Sequence, residues 1–128
     1  MYKFLKILFS LILYFLTYNL TAFSSEEKIK IGLLVPLTGN DKEIGQQIVK
    51  ATRIALKDIN SKKLEIYPKD TNSDPKKTIK AAISLKEIGV QIVIGPVFYK
   101  SLSYLDELQD MIFVSLTNKT LDLPNNII

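Results

Sequence analysis

The sequence contains no cysteine, no histidine and no tryptophan among its 128 residues. Without cysteine or histidine the chain cannot build a zinc site from those ligands, a disulfide framework, a cysteine nucleophile or a Ser-His-Asp triad. The same two absences exclude a haem held by a histidine or cysteine ligand. Carboxylate, hydroxyl, amide and lysine groups therefore remain as the side chains with which this protein can bind or react.

The charge of the chain is low and mixed. There are 17 Lys+Arg against 13 Asp+Glu, which gives a formal net charge of +4. The lysines are scattered among acidic residues, and no basic stripe with interleaved aromatic residues occurs, so the sequence does not indicate a nucleic-acid partner. A content of 47% hydrophobic and 23% charged residues is typical of one globular domain and not of a disordered chain.

The N-terminus has the layout of a secretory signal peptide. Lysines precede an apolar run, Ile7–Leu16, and a small-x-small triplet ends at Ser24. We expect cleavage after Ser24, which divides the chain into a signal peptide, residues 1–24, and an exported domain, residues 25–128. The alternative is an uncleaved membrane anchor, but the apolar run is short for a span of roughly 20 residues. Because the sequence has no cysteine, no lipid can be attached there.

Short apolar segments alternate with helical patterns along the rest of the chain. The predicted strands are Ile29–Val35, Leu64–Tyr67, Val90–Ile94 and Met111–Leu116, and the predicted helices are Ile44–Asn60, Lys76–Ile88 and Ser101–Gln109. Because helices separate successive strands, the strands should be parallel with right-handed crossovers. The predicted fold class is α/β, an open, doubly wound parallel sheet that binds ligands at the carboxyl ends of its strands.

Several residues mark the ends of these helices. Asp41 is the expected N-cap of the first helix, and Asp74 before Pro75 is the expected start of the second. Gly89 is placed to end the second helix in a left-handed turn. The apolar positions of residues 44–60 recur at spacings of three and four, which predicts one stripe against a core.

No segment carries a recognised catalytic or cofactor motif. Asp70–Asp74 begins like a calcium loop, but Pro75 occupies the position that needs glycine. Gly39 and Gly45 flank a loop that opens a helix, yet their spacing fits neither a dinucleotide-binding nor a phosphate-binding loop. The sequence therefore predicts a protein that is not an enzyme and that holds no metal and no cofactor.

Small polar side chains stand at the predicted strand ends. They are Thr38, Ser101, Ser115, Thr117 and Asn118. Their hydroxyls and amides, with the backbone N–H groups of adjoining helix starts, can accept an anionic group such as a carboxylate. They predict a site for a small polar ligand, although the same residue types are common in turns that bind nothing.

Four segments carry a family resemblance. They are Ile29–Gly45 (I-K-I-G-L-L-V-P-L-T-G-N-D-K-E-I-G), Glu65–Pro75 with its D-x-x-x-D-P exit, Val90–Val97 with Gly-Pro, and Val114–Asn118. In this order they resemble type I periplasmic binding proteins, in particular the branched-chain amino-acid receptors of ABC transporters. The resemblance covers Lys28–Ile128 and implies an incomplete first lobe of a two-lobe receptor that closes over a small ligand in the periplasm.

The resemblance also implies which loops hold the ligand. In that family the loops after the third and fourth strands hold the carboxylate and ammonium of an amino acid. These loops are Phe98–Ser101 and Ser115–Asn118, and the loop Thr38–Asn40 lies nearby, so Gly39 and Tyr99 join the candidate residues. The implied partners are an amino acid or a related solute and the membrane permease of an ABC transporter. The bulky sequence at Phe98–Lys100 departs from the small residues that these receptors carry there.

A second group with a similar domain is the activators of penicillin-binding proteins. They also have a Gly-Pro exit, and they act through protein contacts, usually as lipoproteins, with no small-molecule ligand. The bulky loop favours this alternative, while the absence of a lipid-bearing cysteine disfavours it.

The chain is much shorter than either group. Ile127 and Ile128 have the character of the start of another apolar element. We therefore interpret the chain as an N-terminal portion of a longer protein, the alternative being a minimal protein of a single lobe.

Overall fold

A computed structural model describes residues 1–18, 27–119 and 123–128. Helix α1 (Tyr2–Tyr18) lies within the predicted signal peptide. The expected cleavage point after Ser24 lies outside the described residues. Within the described ranges, no helix combines the length and apolar character needed to cross a membrane.

A four-stranded parallel sheet forms the centre of the fold. Its strands are β1 (Ile29–Val35), β2 (Leu64–Asp70), β3 (Ile92–Ile94) and β4 (Ile112–Val114), in the spatial order β2-β1-β3-β4. All three pairings are parallel. The β1–β2 and β2–β3 connections cross the sheet in opposite directions, so right-handed crossovers place α2 (Lys42–Ile59) and α3 (Pro75–Glu87) on opposite faces. The predicted α/β, doubly wound parallel sheet is confirmed.

The hydrophobic core lies between the sheet and α3. Leu34, Val93 and Phe113 on three neighbouring strands are fully buried and pack with Ala82 and Leu85 of α3. Each large apolar side chain that is fully buried stabilises a fold by about 1.5–3 kcal/mol. This layer holds these three strands in place and so fixes the positions of the loops that follow them.

The connection between β3 and β4 differs from the predicted helix over Ser101–Gln109. It consists of two 3₁₀ turns, Tyr99–Leu102 and Leu105–Glu107, separated by Tyr104 with φ of 72°. The prediction rested on leucines three residues apart, at positions 102, 105 and 108, and all three are buried. A spacing of three matches the three residues per turn of a 3₁₀ helix, so the leucines reach the core without an α-helix.

Strand ends also differ from the predicted bounds. The prediction that β2 ends before Pro68 is wrong, because the strand continues to Asp70. The Thr71 N–H donates to the Val35 carbonyl at 3.0 Å and the Lys63 carbonyl accepts from Ile29 at 2.7 Å. The backbone groups of the odd-numbered residues therefore face β1, and Pro68 faces outward, where its missing N–H costs no ladder bond.

Asp41 occupies the expected N-cap position of α2, but its side chain does not cap the helix. The Asp41 side chain makes no capping hydrogen bond to the helix and instead accepts from the Ser73 hydroxyl at 2.7 Å. At the second helix the expectation is confirmed, since the Asp74 carboxylate accepts from the Lys77 N–H at 2.8 Å. Gly89 has the expected left-handed backbone, with φ of +83°.

The apolar stripe of α2 is only partly covered. Ile48 and Leu56 are half-buried, whereas Ile44 and Ile59 are 44% and 59% exposed. Gly45 is the residue of this helix that is fully buried. The prediction that the whole stripe faces a core is therefore wrong for the described residues.

The last residues of the chain add to the sheet. The Phe113 N–H donates to the Asn126 carbonyl at 2.9 Å, the Ile128 N–H to Phe113 at 2.9 Å, and the Ser115 N–H to Ile128 at 2.8 Å. Ile127 forms a parallel bridge with Phe113. The predicted start of another apolar element therefore lies beside β4, as a single bridge and not as a strand.

Candidate functional site

The candidate site is the edge of the sheet at which the parallel strands end, hereafter the rim. Four loops meet this edge: residues 36–41 after β1, 71–74 after β2, 95–103 after β3, which include the first 3₁₀ turn, and 115–119 after β4. Because all the pairings are parallel, the carboxyl ends of the strands lie on one side. The loops that carry the predicted polar residues therefore share one edge of the sheet.

The Asp70 carboxylate joins the first two loops of the rim. It accepts from the backbone N–H groups of Leu37 at 2.7 Å and Thr38 at 3.2 Å, and from the Thr38 hydroxyl at 2.6 Å. It also accepts from the Asn72 N–H at 2.8 Å. The Thr38 hydroxyl, a candidate ligand group, is thus held in a fixed direction by the end of the neighbouring strand.

Two opposing effects set the pKa of Asp70. Partial burial acts to raise it, while the hydrogen bonds from Thr38, Leu37 and Asn72 stabilise the ionised form. The hydrogen bonds dominate and hold the pKa of the Asp70 carboxyl below its usual range. The loop after β1 is therefore tied to a carboxylate that is charged throughout the neutral pH range.

Replacement of Asp70 by asparagine is expected to lower the free energy of unfolding by about 1–2 kcal/mol at neutral pH, because an amide NH₂ cannot accept from the Thr38 hydroxyl. In the unsubstituted protein, the contribution of a carboxyl with a lowered folded-state pKa is present above the unfolded-state value of about 3.9 and is lost as pH falls through the folded-state pKa. Denaturant titrations at pH 7, 5, 4 and 3 measure both effects.

The control for this substitution is Asp106→Asn, which neutralises an exposed carboxylate in the second 3₁₀ turn. We expect Asp106→Asn to change stability at pH 7 by less than about 0.5 kcal/mol. Equal stabilities of the Asp70→Asn and Asp106→Asn proteins at pH 7 would contradict the role assigned to Asp70.

The loop after β2 supports the loop after β1. Asn72 and Ser73 have φ of 47° and 55°, and the Asp74 N–H donates to the Thr71 carbonyl at 2.9 Å, which closes a tight turn. A side chain added at Gly39 would clash with the side-chain amide of Asn72. The lack of a side chain at Gly39 therefore allows these two loops to pack closely, independently of any contact between Gly39 and a ligand.

The loops after β3 and β4 are joined by backbone hydrogen bonds. The Gly95 N–H donates to the Val114 carbonyl at 2.8 Å, and the Leu116 N–H donates to the Pro96 carbonyl at 3.0 Å. The Gly95–Pro96 peptide bond is cis. The second half of the rim is therefore a single bonded unit.

Within this unit the polar side chains take different positions. The Ser115 hydroxyl oxygen accepts from the Thr117 N–H at 3.3 Å, and the Thr117 hydroxyl oxygen accepts from the Lys119 N–H at 3.4 Å. Asn118 is exposed, while Ser115 and Thr117 are half-buried. These residues form a run of small turns whose side chains border the open edge.

Ser101 is placed differently from the other candidate residues. It is 1% exposed, and its hydroxyl oxygen has no hydrogen-bond partner among the described residues. Its N–H donates to the Phe98 carbonyl at 2.9 Å. Ser101 therefore lies in the interior of the first 3₁₀ turn, whereas Thr38, Gly39 and Asn118 lie at the surface.

Tyr99 lies beside a residue that the sequence analysis did not single out. The Lys119 ammonium nitrogen lies 4.1 Å from the centroid of the half-buried Tyr99 ring. This cation–π contact joins the 3₁₀ turn after β3 to the loop after β4. Lys119 and Asp70 are therefore functional candidates that the sequence alone did not indicate. Each is recognised from a contact between loops that are distant in the sequence.

In the described part of the chain, no group of three or more Asp or Glu residues could hold a metal ion. The rim offers hydroxyls, amides, backbone N–H groups and ammonium groups. This set suits the binding of a small polar or anionic molecule.

Comparison with known proteins agrees with this geometry. Residues 28–124 match the family model described as periplasmic binding protein. The Leu/Ile/Val-binding protein BraC3 of Rhizobium johnstonii is 33% identical over 75 residues, which cover 54% of this chain and 20% of that protein.

Solved structures share the fold. A solute-binding protein of an ABC transporter from Rhodopseudomonas palustris BisB5, in complex with 3,4-dihydroxybenzoic acid, matches with a TM-score of 0.64 and 25% identity, over 69% of this chain and 26% of that one. The C-domain of LpoA from Haemophilus influenzae, a regulator of PBP1A, matches with a TM-score of 0.59 and 23% identity, over 70% of this chain and 28% of that one.

The chain thus spans between 20% and 28% of the length of these three relatives. The family match covers most of the chain, and it includes β1 to β4 and the four loops of the rim. The resemblance found in the sequence is confirmed: the chain belongs to the periplasmic binding protein family.

Proposed function

We propose that this chain supplies the first lobe of a solute-binding receptor of an ABC transport system, with the ligand held at the rim. The observation that carries the proposal is the parallel sheet of a periplasmic binding protein lobe, at whose carboxyl edge the loops with Thr38, Tyr99, Ser115, Thr117 and Asn118 meet. Open α/β sheets bind ligands at this edge. The partner of such a receptor is the membrane permease of the transporter.

Two ligand classes are candidates. An amino acid or a related solute is favoured by the sequence match to a protein named for binding leucine, isoleucine and valine. An aromatic acid is favoured by the structural match to a protein in complex with 3,4-dihydroxybenzoic acid. Both classes carry a carboxylate, which suits the N–H and hydroxyl groups of the rim.

The proposals on the location of the protein and on its lack of catalytic activity rest on the family. Periplasmic binding proteins are in general exported to the periplasm and are not enzymes. We propose that residues 1–24 direct export and are removed, that the product carries no lipid, and that it catalyses no reaction. The lysines and apolar run before Ser24 support the first part of this proposal.

The alternative function is an interaction module of the cell envelope that acts on a penicillin-binding protein without a small ligand. It is favoured by the structural match to LpoA, which is comparable to the match to the solute-binding proteins. The bulky segment Phe98–Lys100 at the rim also fits a surface for protein contact.

A ligand panel tests the receptor function. We expect the melting temperature of the intact protein to rise with leucine, isoleucine, valine or 3,4-dihydroxybenzoate, because a ligand at 100 times its Kd stabilises the folded state by about 2.7 kcal/mol. Differential scanning fluorimetry measures the shift. Ser115→Ala should reduce it, and Ser61→Ala, placed before β2 at the opposite edge of the sheet, should not.

The opposite result would favour the alternative function. If the full panel and a wider set of small solutes leave the melting temperature unchanged, and the protein co-purifies with a penicillin-binding protein, then the receptor function is wrong.

A further inference from the structure

The Lys119 ammonium group contacts the Tyr99 ring, and the inference drawn from this contact rests on the proposed receptor function. The ammonium nitrogen lies 4.1 Å from the ring centroid, well within the roughly 6 Å at which a cation is attracted to an aromatic face. Lys119 is exposed, while the ring that holds it is half-buried and packs against the core. A fixed part of the fold thus positions a solvent-accessible cation.

This arrangement leaves the ammonium group able to bind an anion. A lysine side chain in water loses rotamer entropy when it is held in one place. The contact with the Tyr99 ring already orders the lysine side chain and occupies one side of its ammonium group. Among the described residues, no carboxylate forms an ion pair with this ammonium group. A ligand carboxylate at the rim therefore finds a cation that is already ordered.

The described loop residues in this half of the rim carry charges of one sign. Residues 95–103 and 115–119 contain Lys100 and Lys119 and no acidic residue. In the other half, the Asp70 carboxylate already accepts four hydrogen bonds, and the Asp41 and Asp74 carboxylates accept one hydrogen bond each. These loops offer cations for a ligand carboxylate, whereas each of these three carboxylates already accepts a hydrogen bond from the protein.

We infer that Lys119 is a specificity-determining residue of the rim, which pairs with the carboxylate of an organic acid that has no α-ammonium group. A zwitterionic amino acid brings an ammonium group into a region that already holds two lysines, and its like charge is repelled. An organic acid of the same size brings the carboxylate alone. Of the two ligand classes under the proposed function, the charges at the rim favour the acids.

Matched ligand pairs test this inference on the intact protein. The first pair is leucine and 4-methylpentanoate, which differ in the α-ammonium group alone, and the second is phenylalanine and 3-phenylpropanoate. We expect each acid to bind at least about tenfold more tightly than its amino acid, by isothermal titration calorimetry. Two side-chain types are used so that the fit of one hydrocarbon group does not decide the result.

Variants of Lys119 identify the group responsible. Lys119→Met removes the charge, keeps most of the chain length, and should weaken binding of the acids at least about tenfold while changing amino-acid binding less. Lys119→Arg should restore most of the affinity, because it returns a cation to the same ring. The control is Lys57→Met, in the last turn of α2 at the opposite edge of the sheet, with binding expected to match the unsubstituted protein.

The outcomes separate the inference from the proposed function. If the amino acids bind more tightly than the acids, or if Lys119→Met binds the acids as well as the unsubstituted protein does, the inference is overturned and the receptor function stands. If none of the four ligands and no member of the earlier panel binds, both are overturned. A preference for the acids that Lys119→Met abolishes and Lys119→Arg restores supports the inference.

Discussion

Substitution of Gly45 by alanine is expected to lower the free energy of unfolding by about 2–4 kcal/mol. A Cβ at this position would lie 1.8 Å from the Pro36 carbonyl oxygen and 2.6 Å from the Pro36 carbonyl carbon. Alanine in a helix interior is normally favoured over glycine by about 1 kcal/mol, but here the contact is with backbone, which cannot rotate away. The first turn of α2 would have to move from the end of β1.

Chemical denaturation of the two proteins measures this effect. Gln47→Ala provides the control, because Gln47 is exposed in the same helix and its substitution should change stability by less than about 0.5 kcal/mol. A Gly45→Ala protein as stable as the Gln47→Ala protein would show that α2 does not press on Pro36 in solution.

Substitution of Gly95 by alanine is expected to have the larger effect, about 3–5 kcal/mol. Gly95 has φ of +106°, and a Cβ there would lie 2.3 Å from the Leu34 carbonyl oxygen. Two costs therefore add: a backbone conformation that side chains rarely adopt, and a clash with the neighbouring central strand. Because the Gly95 N–H also donates to the Val114 carbonyl, the loops after β3 and β4 should separate, and ligand binding should be lost with stability.

Gly89→Ala separates these two costs. Gly89 has a similar φ of +83°, but no atom lies within 4 Å of the position that a Cβ would take. This variant should therefore show the backbone cost alone, about 1 kcal/mol. If Gly95→Ala and Gly89→Ala unfold at the same denaturant concentration, the close approach of Gly95 to Leu34 does not contribute to the loss of stability.

The regular part of the fold could be predicted from the sequence, because local patterns determine it. The apolar run of β1 has one structural interpretation, and Asp74 before Pro75 marks a helix start through chemistry that acts within one turn. Pro68 and the leucines at 102, 105 and 108 were interpreted less well. Whether proline fits a strand depends on which edge of the sheet it faces, and a spacing of three residues fits an α-helix and a 3₁₀ helix alike.

The sequence allowed the loops of the candidate site to be predicted, but not the directions of their side chains. Parallel topology alone brings Thr38 and Ser115 to one edge of the sheet. The direction of each side chain depends on contacts between loops that are distant in sequence, such as Asp70 with Thr38 and Lys119 with Tyr99. The burial of Ser101 had no local signal either, since serine is usual in an exposed turn. The uncovered stripe of α2 depends on which elements pack beside the helix.

The outward-facing Pro68 has a consequence for how the molecule meets other chains. A free strand edge is a template for intermolecular pairing, and proline blocks it by withholding a donor. On the β2 side, Pro68 interrupts any added ladder. On the other side, residues 126–128 already extend the sheet beyond β4. Any further strand, from this polypeptide or another, is therefore expected to join next to Ile127, so the sheet can lengthen in one direction only.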